Sequence, residues 1–523
     1  MSTKTNYAFW DHKVRREAPQ RLTETLDVDV VVVGGGITGL TTALIAASES
    51  HSVALLEADR FGSGATGASS AHVTVVPDVG YRSLLERCGN DAGSQYVAAL
   101  GEALELMHTL VTAQSIDCGW ERVPAYRFAE DADGLDALAD EALAAERLGQ
   151  RCQMVTEVPL SWNVAGGVEF PDQALFNPVQ YLMAIAELAR ARGATLFEQS
   201  PVIAWEETAN GVIVRTATGI VRAGSLVLAT HTPLGFNLVQ TELAPVQSYI
   251  LALALPHASP SAMFWDTAEP YHYLRSVQRG DQSLVLIGGA DHKTGHETEP
   301  QVRFAQLADY ARTRFASGTP VDWWSAQLYE PADGLPYIGR SPLAQRVYIA
   351  TGFAGVGLVQ GTMAAIELAS LLRGRERDTP WKATRLKLAA APRFVAENLD
   401  VAACWVGDRL TSTNGYSTDD LPAGQGRIVR IDGQRRAAYR DDEGRLHILS
   451  PVCTHMGCLV RWNASARTWD CPCHGARYAS TGEVLEGPAL RALTRIEEQC
   501  APYAGVAPIT PEIDVQRFDT DKG

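Results

Sequence analysis

From Asp27 to Val33 the chain reads DVDVVVV, with five valines in the six positions from Val28. A run this apolar predicts a strand covered on both faces. LTTALIAASES, Leu40 to Ser50, has the apolar period of a helix, and a second strand is predicted from Ser52 to Leu56. Further on, Asn177 to Arg192 predicts a helix and Ala194 to Gln199 a strand reaching Val202; Ser225 to Thr230 and Val347 to Ala350 predict two more strands. A loop holding Gly352, Gly355 and Gly357 follows, with a helix predicted from Thr362. Strand and helix alternating in this way predict an α/β nucleotide-binding fold. Its segments fall at about 27–75, 176–235 and 330–372, and two insertions, about 76–175 and 236–329, mix helical and strand patterns as an α+β domain would. Residues 1–26 read as a polar arm.

After Leu372 the pattern changes. Arg373 to Asp378 is a charge run, and 381–420 reads as a helical connector running into a turn-rich linker, TSTNGYSTDDLPAGQG. Short strands then fill 421–510, ahead of a tail at 511–523; IVRIDGQRRAAYR, with Asp-Gly at its centre, predicts a hairpin.

The first strand runs into Gly34-Gly35-Gly36-Ile37-Thr38-Gly39, and Glu57 ends the second strand 18 residues past Gly39. The first glycine of GxGxxG makes a tight turn, the second admits a pyrophosphate to the backbone, and the third lets helix meet strand. The helix N-terminus faces the phosphates, and the acid receives ribose hydroxyls. Strand, glycines, helix and acid in this order predict a dinucleotide site. In the later segment, a helix follows Gly352, Gly355, Val356 and Gly357, its N-terminus placed to favour an anion. A second site for NAD(P)H there would need a strand ending in an acid about 20 residues on, and none follows.

The stretch after Glu57, EADRFGSGATGASSAHVT, resembles the loop of amine and amino-acid oxidases of the D-amino-acid oxidase and sarcosine oxidase type. The resemblance continues through 177–202, 225–230 and DGLPYIGRSPLAQRVYIATGFAGVGLVQGTMAAIELASLL at 333–372. It implies bound FAD, with Ala58, Arg60, Ala65, Thr66, Val202 and Thr230 joining the glycines and Glu57 around it. It also implies that the insertions roof the flavin. His292-Lys293-Thr294-Gly295-His296 resembles a Lys-x-Gly-x-His stretch of sarcosine oxidase, which would set Lys293 near the flavin N5 as a catalytic residue. Gln327 stands where that enzyme tethers its flavin through cysteine, so a cysteinyl flavin by that route is not expected. His72, in the small-residue loop, could tether or contact the flavin, but is read as a plain hydrogen-bonding histidine. Asp291, His292 and His296 invite comparison with a two-histidine, one-carboxylate iron site, but the stretch reads as loop. Tyr249, Trp265, Tyr271 and Tyr273 are aromatic candidates for the roof that core packing explains equally well.

PVCTHMGCLVRWNASARTWDCPCHG, from Pro451 to Gly475, packs four cysteines and two histidines into 25 residues. Cys453-x-His455, fifteen residues, then Cys471-x-x-His474 is the spacing of a Rieske [2Fe–2S] centre, in which two thiolates hold one iron and two imidazoles the other. A zinc ribbon also uses Cys and His but leaves the CTHxGC and CPCHG context unexplained. The Rieske resemblance implies a disulfide between Cys458 and Cys473, a tyrosine, Tyr478, bonding a ligand sulfur, and a proline loop at Gly487-Pro488-Ala489. Ala476 stands where high-potential members carry a serine, and a lost donor to sulfur lowers the potential.

The formal net charge is −16, which argues against nucleic acid or an anionic membrane as partner. No unbroken apolar run has the length of a membrane span, and nothing after Arg15-Arg16 reads as an export signal, so a cytoplasmic location is expected. Nine cysteines, four of them in one cluster, do not make a secreted disulfide framework. Together the two resemblances imply an FAD-dependent enzyme oxidising a C–N bond of an amine or amino acid. Electrons would pass from reduced flavin to the cluster and on to an external acceptor such as a ferredoxin, cytochrome, quinone or oxygen. Two other readings stay open: an electron-transfer component whose cluster feeds the flavin, and a redox sensor.

Overall fold

The computed structural model describes residues 9–12, 14–257, 259–297, 299–385, 398, 399, 401, 404 and 417–496. Most of the predicted connector at 381–420, the end of the C-terminal unit from 497 to 510 and the tail at 511–523 lie outside the described residues.

The valine run forms the strand Thr25–Val33 at the heart of an eight-stranded sheet. It pairs in parallel with Ile220–Leu228 on one side and Val53–Leu56 on the other. Val347–Thr351 extends the sheet beyond the first neighbour and Thr195–Phe197 beyond the second. Val30 to Val33 are all buried, as strands covered on both faces require. The helices Ile37–Ser48 and Gly357–Leu372 pack together over this sheet. Gly361 permits their approach: a Cβ there would lie 2.7 Å from Thr38 Oγ1.

The insertions form one nine-stranded sheet, in the order Thr319–Pro331, Leu243–Leu255, Gln282–Lys293, His272–Arg279, Met263–Asp266, Glu121–Ala129, Gly166–Leu175, His72–Val73, with Gln153–Val155 on the penultimate strand. Side chains alternate across it. Ile250, Ala252, Leu284 and Leu286 enter the large core shared with the nucleotide helices. Tyr249, Leu251, Leu253, Val285 and Ile287 face a second core with Phe304 and Leu307. The first face is the roof over the nucleotide domain.

The C-terminal unit is two small antiparallel sheets. The hairpin of Gly426–Ile431 with Gln434–Arg440 turns at Asp432 (φ 49°) and Gly433 (φ 74°), the left-handed pair that a two-residue turn demands.

Three expectations need correction. The helix predicted from Thr362 begins at Gly357, so Gly357, read as part of a loop, opens the helix, and Gly361 lies inside it where the two helices meet. The arm is not wholly polar: Phe9 and Trp10 are buried, Phe9 stacks on Trp324, and the Trp10 indole donates to the Ser69 carbonyl. One helix, Ala354–Leu372, is apolar and long enough to cross a membrane; scattered polar residues such as Gln360 and Glu367 hide this from a search for unbroken runs. Within the fold 72% of that stretch is buried.

Candidate functional site

The glycine loop leaves a cradle that no larger residue could form. Gly34 has φ +110°, and a Cβ on it would meet the Ala229 carbonyl at 2.3 Å; a Cβ on Gly39 would lie 1.9 Å from the Gly34 carbonyl. No side chain caps the helix at Gly36. Of the open amides, that of Ile37 donates to Thr66 Oγ1 at 3.2 Å, and those of Thr38 and Gly39 lie in the same first turn. Glu57 takes the Gly35 amide at 2.6 Å and the Asp59 amide at 2.8 Å, and burial raises its pKa. The donors and the open approach fit a dinucleotide pyrophosphate. Arg60 instead pairs with Glu198 at 3.0 Å, Ala58 follows Glu57, and Ala65 opens the short helix that carries Thr66. Val202 is buried beyond Thr195–Phe197, and Thr230 donates to the Thr232 carbonyl.

The roof closes over the second glycine segment. Gly352 (φ +76°) lies against Pro331 and Leu243, and Val356 ends a short 3-10 turn before the helix from Gly357. Asp78, exposed on that side, takes the Gly355 amide and a hydrogen bond from Tyr271. Asp291 bonds Ser248, whose hydroxyl lies 3.2 Å from that of Tyr273; burial and the nearby carboxylates raise Asp291 to about 7. His72 is buried and held neutral at about 3; its Nε2 donates to the Leu274 carbonyl, so its Nδ1 accepts from Ser70.

The HKTGH stretch is not all loop. His292 and Lys293 end the strand Gln282–Lys293. His292 turns to the outer face, where Tyr249 holds its Nε2 at 2.8 Å, and His296 lies 3.9 Å from Cys404. Tyr249 therefore faces away from the roof. Trp265 packs against the large core, its ring 5.5 Å from His72.

On the C-terminal unit, Cys453 and Cys471 are hydrogen-bonded neighbours; the pairing lowers Cys453 to about 6 and raises Cys471. The rings of His455 and His474 stand edge to face, 5.1 Å apart. His455 Nε2 and His474 Nδ1 are buried with no hydrogen-bond partner among the described residues, and burial lowers both imidazoles to about 4. Neutral imidazoles and a readily ionised thiol are the forms that bind metal, so these four residues fit an iron–sulfur cluster. The Tyr478 hydroxyl sits 3.1 Å from Cys453 Sγ. Cys458 and Cys473 are joined as a disulfide, with the Cys471 sulfur within 4.8 Å of both.

The profile of the FAD dependent oxidoreductase family matches residues 29–371. The chain belongs to that family. The profile of the Rieske [2Fe-2S] domain matches residues 414–497, so this oxidoreductase carries a C-terminal Rieske domain, and its cofactors are FAD and a [2Fe–2S] cluster. YhfW of Bacillus subtilis (strain 168), a Rieske 2Fe-2S iron-sulfur protein by name, is 28% identical over 94% of this chain and 97% of its own. Gamma-glutamylputrescine oxidoreductase of Escherichia coli (strain K12) is 25% identical over 71% of this chain and 90% of its own. The structure of glycine oxidase from Geobacillus kaustophilus superposes with a TM-score of 0.59 at 20% identity, over 69% of this chain and all of that one.

In this oxidoreductase the two domains meet through the ligand loops of the cluster. Gln327 donates to the Gly475 carbonyl at 2.9 Å and to Glu486 at 3.1 Å. The Tyr329 hydroxyl reaches the His474 carbonyl at 3.3 Å. The Gly235 amide donates to the Pro488 carbonyl at 2.8 Å, so the proline loop also docks on the flavin domain. Arg461 donates to the Gly295 carbonyl at 2.9 Å, and the charge of Lys293 helps lower the His474 imidazole. His231 packs edge-on against Tyr329 at 4.8 Å, and its carbonyl accepts from Thr351, next to Gly352. Sequence reasoning did not find Asp78, His231 or Tyr329. Asp78 and His231 lie in turns outside every motif, and Tyr329, two residues past Gln327, finds its partners only across the domain boundary.

Proposed function

We propose that this protein oxidises a C–N bond of an amine or amino acid and delivers the electrons singly to an external ferredoxin, cytochrome, quinone or oxygen. FAD would accept a hydride from the substrate carbon, and the cluster would take the resulting electron pair one electron at a time. The observation that carries this reading is the shared strand Thr319–Pro331, which supplies Gln327 and Tyr329 to the His474–Gly475 loop and packs beside the Gly352 segment. The names of the relatives, an oxidoreductase of gamma-glutamylputrescine and an oxidase of glycine, agree with amino compounds as substrates.

In this reading the chain's residues divide the work. Gly34 to Gly39, Glu57, Thr66 and the Gly352–Gly357 segment hold FAD. Cys453, His455, Cys471 and His474 hold the cluster, with Tyr478 donating to the Cys453 sulfur. Lys293 supplies positive charge between the roof and the His474 loop, favouring reduced states on either side. The roof keeps water from the reacting carbon.

The test is anaerobic addition of amines and amino acids, followed at flavin and cluster wavelengths. A substrate should bleach both. Flavin that bleaches beside a cluster that stays oxidised removes the transfer step. Order of reduction in stopped flow separates this reading from one in which the cluster feeds the flavin.

A further inference from the structure

The two ligand loops of the cluster stand in different surroundings. Every residue from Cys471 to Tyr478 is buried. The flavin domain closes tightly on that loop: a Cβ at Gly475 would fall 2.6 Å from Pro245 Cβ, and one at Gly295 would fall 3.0 Å from Pro472 Cα. A polar lock continues the seam. Asn463 donates to Gln247 at 3.1 Å and to Asp470 at 2.9 Å, and all three side chains are buried. Satisfied buried contacts of this kind specify one arrangement of the domains. Both imidazoles of the ligand set turn to the same side. His474 lies in the field of Lys293 and His455 faces the backbone of Gly235, both parts of the flavin domain.

The other ligand loop is open. Val452, Thr454 and Met456 are exposed, while Cys453 between them is buried. Val452 is 42% and Met456 47% exposed. Pro451 to Val460 contain no lysine, arginine or carboxylate. Among the three exposed side chains the one polar group is the Thr454 hydroxyl, and it is spent on the Arg491 carbonyl at 2.6 Å. Phe236, next to Gly235 on the far side of the seam, is 56% exposed. An uncharged, apolar surface therefore flanks a cluster ligand on both sides and continues the interface between the domains.

We propose that electrons leave by this loop: an external one-electron carrier protein seats its own apolar surface on Val452 and Met456 while the Rieske domain keeps its place on the flavin domain. The inference rests on the reading that the cluster serves an outside acceptor, and it narrows that acceptor to a protein. A quinone or other small acceptor needs a concave site with polar groups to orient it, and the exposed side chains here offer no free donor. Contacts between redox proteins are small, below about 1,200 Å², so a few apolar side chains suffice. One electron passes to the carrier's metal centre for each one lost from the cluster, and no bond is made or broken.

The test uses holoprotein reduced anaerobically with dithionite, so neither amine oxidation nor transfer from flavin to cluster is needed. Stopped flow follows the electron to azurin, a small copper protein with an apolar surface over its metal, and to ferricyanide, a small anion. Met456→Glu and Met456→Lys should each slow the reaction with azurin about tenfold, because either charge must shed water at an apolar contact. With ferricyanide the two should diverge, Lys faster and Glu slower by about two- to threefold. Iron content and cluster potential should match the unaltered protein; Val452→Glu and Val452→Lys repeat the pair if a Met456 variant loses iron. Binding is read without electron transfer: isotope-labelled zinc azurin should show resonance shifts over its apolar surface with the oxidised protein, and either variant should weaken that binding about tenfold. Azurin rates unmoved by both charges, rates moved in opposite directions as with ferricyanide, or no shifts in zinc azurin overturn the proposal. Such a failure leaves amine oxidation and reduction of the cluster by flavin standing. A cluster that substrate never bleaches would sink those steps and leave the docking result intact.

Discussion

The phenolic hydroxyl of Tyr329 donates to the main-chain oxygen of His474 over 3.3 Å, joining a flavin-domain strand to a cluster-ligand loop. The same hydroxyl lies 3.5 Å from the Gly475 carbonyl and 3.4 Å from that of Gly487, so it serves a cup of three acceptors. On its other side the ring meets His231, whose carbonyl is held by Thr351. The contact is buried and polar, a combination that fixes one docking geometry rather than a sliding surface.

Tyr329→Phe keeps the ring and removes the donor. The loss of about 1 kcal/mol of docking should slow cluster reduction about fivefold while flavin reduction by substrate keeps its rate. Stopped-flow traces at the two chromophores separate these steps. An equal slowing of both would assign Tyr329 to the roof instead.

Tyr478→Phe acts on the cluster alone. The hydroxyl at 3.1 Å from Cys453 Sγ stabilises the electron-rich reduced form. A hydrogen bond of about 1.5 kcal/mol corresponds to about 60 mV for one electron, so the potential should fall by that order. Redox titration followed by electron paramagnetic resonance measures it. The flavin potential should not move.

The nucleotide fold and the two ligand sets were legible because each is local. Five valines, three glycines and an acid fall within some 30 residues, and the cluster motif within 25. Gly357 misled for a physical reason: glycine reads as a loop, yet Gly357 opens the helix Gly357–Leu372. Gln327 could be aligned with a flavin-tethering position but its contacts could not be read, since its partners, Gly475 and Glu486, lie about 150 residues away. Asp78 and Asp291 come together only once two distant insertions have built one sheet.

Gly39→Ala should empty the flavin site and spare the cluster. The added Cβ would fall 1.9 Å from the Gly34 carbonyl, and neither is a flexible side chain that can yield. Purified protein should hold less than about a tenth of the flavin, as expected when the loop that admits the pyrophosphate is displaced. Its iron per chain should match the unaltered protein. Parallel loss of both would mean that the domains do not fold independently.

The Cys458–Cys473 disulfide closes a span of 15 residues across the two ligand loops. Closing such a loop contributes about 3 kcal/mol. Replacing both cysteines with serine avoids leaving one thiol beside Cys471. The double variant should release iron to a chelator more than tenfold faster, with flavin content unchanged. Iron release at the original rate would show that the interdomain contacts alone hold the loops together.

Asp291 gives the protein a stability that depends on pH in a defined direction. Burial is the largest cause of its raised pKa, with Asp78 and Glu330 adding to it and Ser248 and Arg303 opposing. A carboxyl near 3.9 in the unfolded chain and at about 7 in the fold binds more protons when native. Stability therefore falls as pH rises from about 4 and levels off above about 7. Asp291→Asn removes the ionisation, so the variant should melt at nearly the same temperature as the unaltered protein near pH 4. By pH 8 it should be more stable by about 1–3 kcal/mol. Calorimetric melting of holoprotein across that range measures the difference; a gap that narrows with rising pH would mean that a buried cation already neutralises Asp291.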